Sequence, residues 1–208
     1  TGQCHSMPLL FLILAEELET EAFWCFSPSH SFIKFQDKQN RWYNIELTQG
    51  AVVTDDFYMN SGFIKSKAIQ TGIYLNPRTM KQTIAHMLND LSAYYISRYG
   101  YDHFIEENSN LVLRYSPSDL TAYQHYANIC TVQALYVIDA CGRPPKEQLP
   151  EYPQAHRLFK EMLQSYEKID SLGYEEMPAE IYHNWLKQVD KAKTLPENQP
   201  SPIIQIKK

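Results

Sequence analysis

Apolar residues in this chain change period twice. An apolar run, Leu9-Leu10-Phe11-Leu12-Ile13-Leu14-Ala15, lies near its start and is closed by Glu16-Glu17, the pattern of a helix over residues 4–18. Pro8 falls in or near its first turn, where a missing N–H is tolerated. Period two follows. Residues 22–26 and 30–35 read as strands separated by Ser27-Pro28-Ser29, and Asp37-Lys38-Gln39-Asn40 reads as a hairpin turn. In the strand over 42–47, Tyr43, Ile45 and Leu47 face one way, and Trp42, Asn44 and Glu46 the other. Residues 48–74 keep no sustained period, and only short helical turns are expected, over 55–61 and 64–71.

The second change is to helical spacing. Asn76-Pro77 reads as a cap and first residue of a helix running to about 98. Met80, Ile84, Met87, Leu88, Leu91 and Tyr95 form its three-to-four-spaced stripe, expected to be its buried face. Gly100 ends it. A second long helix is expected from Ser116-Pro117, with Leu120, Tyr123, Ala127, Cys130, Ala134, Val137 and Cys141 on one side, until Gly142 and Pro144-Pro145. Two more are expected over 153–172 and 178–192, and the Pro-rich, polar stretch 196–208 reads as a tail. The chain thus divides into an α+β core over 1–75, an α-helical region over 76–195 and the tail. The helix pairs resemble tetratricopeptide units, without a clean self-match at the ~34-residue period.

Composition narrows the function classes. Hydrophobic residues at 44% and charged residues at 21% in 208 positions belong to a globular protein able to bury a core. A net charge of -5 with no basic stripe argues against a nucleic-acid partner. No run approaches the ~18–20 apolar residues of a membrane span. The four cysteines, Cys4, Cys25, Cys130 and Cys141, form neither a CxxC pair nor a zinc spacing, and Cys4/His5/Cys25/His30 matches no familiar zinc pattern. The chain opens on Thr1, as a trimmed or fragmentary chain would, so the compartment stays open.

The candidate chemistry lies in the first fifty residues. A free thiol with a pKa near ~8.5 is mostly protonated at neutral pH, and a helix N-terminus or a neighbouring imidazolium favours the anion. Cys4 stands at the expected helix start, and His30 opens a strand that can fold back over it. A third group would accept a hydrogen bond from the imidazole, fixing its tautomer. Glu46 and Asn44 share the strand face suited to that role, and Trp42 on the same face is a candidate wall. The plainer alternatives are a buried structural thiol at Cys4, a histidine that merely begins a strand, and a solvated Glu46. His5 adjoins Cys4 but faces elsewhere on a helix. His86, His103, His125, His156 and His183 read as surface or core-edge residues. The Cys4 backbone N–H is a better oxyanion donor than the Gln3 side chain.

These residues carry a resemblance. Gly2-Gln3-Cys4 before an apolar helix, His30-Ser31-Phe32-Ile33-Lys34-Phe35, and Trp42 leading to Glu46 resemble the transglutaminase-like branch of the papain superfamily, in its bacterial members. The resemblance covers residues 2–50. It implies a cysteine-protease core with Cys4 as nucleophile, His30 as base and Glu46 as orienting acid. It also implies acyl transfer from a peptide or protein amide through a thioester to water or an amine, with no metal or organic cofactor. The helical region would offer a surface to a protein partner. In the alternative, the fold is catalytically inactive and serves as a peptide- or protein-binding scaffold. Two departures stand out: the family usually has aspartate where Glu46 stands, and it carries helices ahead of the cysteine, so the core is expected to lack its N-terminal part.

Overall fold

A computed structural model of the chain describes residues 3–60 and 63–193; the expected tail lies outside them. Helix α1 spans Ser6–Glu17, two residues later than the sequence pattern suggests, with His5 at its N-cap. Pro8 lies in its first turn, and Leu12 and Ala15 turn inward. Four strands follow: β1 Phe23–Ser27, β2 His30–Gln36, β3 Trp42–Glu46 and β4 Ala51–Val53. They form one sheet in the order β1-β2-β3-β4, antiparallel throughout. A two-residue turn joins β1 to β2, with Ser27 paired to His30 and Ser29 in the left-handed region at φ 55°. The Asp37 carboxylate fixes the next turn by accepting from the Gln39 and Arg41 backbone N–H groups at 2.8 and 2.9 Å. One sheet face packs Trp24 and Ile33 against Leu12 of α1. The other packs Cys25 and Phe32 into the main core.

The other elements among the described residues are helical: α2 Asp55–Met59, α3 Ser66–Gln70, α4 Met80–Tyr99, α5 His103–Tyr115, α6 Leu120–Ala140, α7 Pro153–Ser171 and α8 Ala179–Lys193, with a 3-10 turn at Lys146–Glu151. The chain is therefore a mixed helical protein with a small antiparallel sheet. Among the described residues no helix is long and apolar enough to cross a membrane.

Three expectations need correction. Asn76-Pro77 does not start α4. Leu75 N–H donates to the Phe26 carbonyl and Arg78 N–H to that of Trp24, so the segment runs extended along β1. The helix starts instead at Thr79, in a reciprocal capping box with Gln82. Helix α5 was not expected at all; its buried positions Ile105, Asn108, Ser109 and Val112 are half polar, which thins the apolar signal. The face of α4 is also inverted. Met80, Ile84, Met87 and Leu91 are between 43% and 59% exposed, while Thr83, Ala85, His86, Asn89 and Ser92 are buried. Hydrogen bonds justify the polar face: Asn108 Nδ2 donates to the Leu88 carbonyl at 2.8 Å and to Ser92 Oγ at 2.6 Å.

The main core joins both ends of the chain: Cys25, Phe32 and Tyr58 pack with Ile73, Leu172 and Trp185. Gly173, at φ 82°, makes the turn out of α7 possible, because a Cβ there would lie 2.6 Å from the Ala68 backbone nitrogen. Gly173→Ala should therefore destabilise the protein by more than ~1 kcal/mol in urea unfolding. An unchanged midpoint would mean that α3 does not hold this turn.

Candidate active site

The tight β1–β2 turn delivers His30 to the very start of β2, where it is buried. Cys4 arrives from the other side, just ahead of α1, and Ser31 fastens it there. The Ser31 hydroxyl donates to the Cys4 carbonyl at 2.6 Å, and its backbone N–H donates to the thiol. Cys4 and His30 border the same cleft, and each side chain shifts the pKa of the other. His30 Nε2 lies 2.6 Å from Glu46 Oε2, which leaves Nδ1 for the sulfur.

Glu46 is wholly buried, and its longer side chain is accommodated by donors on both oxygens. Oε1 accepts from the Thr48 backbone N–H at 3.1 Å and from the Thr48 hydroxyl at 2.5 Å. Oε2 accepts from His30 and from the Tyr58 hydroxyl at 3.0 Å. Burial pushes this carboxyl up, but the His30 and hydroxyl donors outweigh it and hold its pKa below the ordinary value. Burial likewise opposes the His30 imidazolium, yet the bonds to Cys4 and Glu46 carry its pKa up to about 9. The Cys4 pKa is lowered, chiefly by the hydrogen bond with His30 and against the effect of burial. Burial pushes the Cys25 and Cys130 thiols up, Cys25 to about 12. The depressed thiol is thus the one beside the histidine.

The other residues singled out in the sequence lie elsewhere. Asn44 donates to Asp55 Oδ1 at 2.8 Å, in a cluster with the buried Lys34, whose ammonium also reaches Asp55. It is Glu46 that contacts His30. Trp42 does not wall the site. It is 40% exposed and packs against Phe23, because β3 enters at the end of the sheet remote from Glu46. His86 is buried rather than peripheral, and His5 is bound to Asp90 at 3.0 Å.

A cleft of about 400 Å³ opens beside the pair, bordered by Cys4, His30, Ser27, Phe26, Tyr74 and Gln124. The Trp185 ring of α8 meets the His30 ring edge-on at 5.1 Å. Ser31, Thr48, Tyr58 and Trp185 are functional neighbours that sequence reasoning missed. Thr48 alone had a local signal, a hydroxyl two residues after the carboxylate it binds. Among the described residues no group of three or more His, Cys, Asp or Glu side chains is placed to hold a metal ion. No protein-family model matches this chain, and no curated protein or solved structure does.

Proposed function

We propose that the chain is a cysteine-dependent acyl-transfer enzyme with a transglutaminase-like core, acting on a peptide or glutamine-type amide. The carrying observation is Cys4 sharing a cleft with the hydrogen-bonded His30–Glu46 pair, with the thiol pKa lowered by His30 and the imidazole pKa raised. In this reading the Cys4 thiolate attacks the amide carbonyl, and the Cys4 backbone N–H faces the developing oxyanion. His30 then gives its Nδ1 proton to the leaving amine, and a thioester remains on Cys4. Water or an amine attacks the thioester, His30 takes the proton from it, and the thiolate is restored. Glu46 holds Nε2–H throughout and stabilises the imidazolium. The cleft opens to solvent, which favours hydrolysis over cross-linking.

The test is the pH dependence of Cys4 alkylation by iodoacetamide, read by mass spectrometry. The wild-type thiol should react with an apparent pKa below the ordinary ~8.5, and His30→Ala should return it upward, each unit costing about tenfold in rate on the acid side. A thiol that titrates normally in both proteins refutes the reading. The inactive-scaffold reading would then gain, because α4 already presents the exposed stripe Met80, Ile84, Met87 and Leu91.

A further inference from the structure

Phe26 connects the nucleophile to a second polar cluster in the same cleft. On β1 it stands directly opposite Ser31, the residue that fastens Cys4. Side chains paired this way share a sheet face, with Cβ atoms about 4.5–5.5 Å apart. The guanidinium carbon of Arg78 lies 4.3 Å from the Phe26 ring centre, and the His86 ring lies 4.5 Å from it. Arg78 and His86 are both buried, and both border the cleft that Cys4 and His30 border.

Asp119 holds these two side chains from behind. Its Oδ2 accepts from Arg78 Nη1 at 2.5 Å and from His86 Nδ1 at 2.7 Å. Its Oδ1 accepts from Asn89 Nδ2 at 3.0 Å and from the Ala122 backbone N–H at 3.1 Å. The carboxylate is thereby filled. The guanidinium is not, since it has five N–H donors and Asp119 is its hydrogen-bond acceptor among the described residues. Tying β1 to α4 and α6 would require only the bonds to Asp119. The remaining guanidinium donors suit a planar anion, and a guanidinium matches a carboxylate best. The acidic groups bordering the cleft are Glu175 and Glu176, after α7; Lys65 neutralises Glu175 at 2.9 Å.

We infer that Arg78, held beside His86 by Asp119, forms a carboxylate subsite, so that the substrate bears a free carboxylate near the amide that Cys4 attacks. The inference rests on Cys4 being the nucleophile. N-bromoacetylglycine and N-bromoacetylglycinamide, which differ only in carboxylate against amide, test it. The readout is their ratio of Cys4 alkylation rates, compared with the same ratio for a small free thiol. Wild type should favour the acid by about tenfold over the free thiol, the effect of one charge-assisted hydrogen bond. Arg78→Gln should bring the ratio back toward the free-thiol value. Should that variant fail to fold, protection decides in wild type: N-acetylglycine should slow iodoacetamide labelling of Cys4 more than N-acetylglycinamide does. Equal ratios and equal protection overturn the subsite while leaving a fast neutral reaction, and so the nucleophile, intact. A preference that survives in Arg78→Gln belongs to the His30 imidazolium and also overturns it. A Cys4 no faster than a free thiol toward the neutral reagent removes the nucleophile and the subsite together.

Discussion

Asp119→Ala should destabilise the protein by about 3–5 kcal/mol, with roughly 1 kcal/mol more from loss of the α6 N-cap. The substitution strands a buried guanidinium, because Arg78 is 7% exposed and Asp119 is its ion-pair partner. It also releases His86, Asn89 and the Ala122 N–H from their shared acceptor. Burial raises the Asp119 pKa, but His86 and Arg78 overcome it and hold the carboxyl far below the usual range. Its contribution is therefore present above the unfolded value of ~3.9 and persists until the pH falls through the lowered folded value. Urea unfolding at neutral pH measures the effect. A loss below ~1 kcal/mol would put the pair in the class of solvated surface bridges. Asp119→Asn, which keeps a capping oxygen but not the charge, should fall between the two proteins.

Glu46→Gln should lower any acyl-transfer turnover by on the order of 10²–10⁴-fold, since the histidine loses the group that fixes its tautomer. It should also narrow the pH range of Cys4 reactivity by drawing the His30 pKa down from about 9 toward its ordinary value. Stability carries a second signature. The Glu46 pKa is lowered in the fold, so its contribution holds above ~4.3 and is lost as the pH falls through the folded value. The His30 pKa is raised, so its contribution is complete below ~6.5 and is lost as the pH rises through about 9. The Cys4 pKa is lowered, and its contribution rises with pH below the ordinary thiol value, against that of His30. A Cys4→Ser background removes the opposing signal. There the protein should lose stability as the pH rises above about 6.5, over a narrower range than the pair with Cys4 spans because only Glu46 then raises the His30 pKa, and adding Glu46→Gln should flatten that loss. Equal slopes with and without Glu46 would show that the carboxylate does not hold the imidazolium.

What the sequence revealed follows from how local each signal is. The β1–β2 turn, the Asp37 turn and the limits of α7 and α8 depend on short-range chemistry, and each was readable within a residue or two. The grouping of Cys4, His30 and Glu46 was suggested by order and spacing, and the structure brings the three together. The face of α4 was illegible, because an apolar stripe signals burial only if apolar groups line the neighbouring surface. Here the neighbours are Asn108 and Asp119, and they select Ser92, His86 and Asn89. His86 was misjudged for the same reason: its partner lies 33 positions away. Nor could strand alternation alone separate Asn44 from Glu46. Their partners, Asp55 for one and His30, Thr48 and Tyr58 for the other, are set by tertiary packing.

The contact between Trp185 and His30 bears on the order in which the site can form. The two rings meet across more than three-quarters of the described sequence, so closing this contact is among the most entropically demanding steps of folding. Until α8 docks, the imidazole lacks one of its aromatic walls and lies nearer to water, which screens its attraction for Glu46 and for the thiolate. On the proposed function, a reactive Cys4 would in that sense wait on the docking of α8. On that same function, a partly folded form would carry the same cysteine and histidine with a tamer thiol, and so would be guarded against side reactions before the cleft exists.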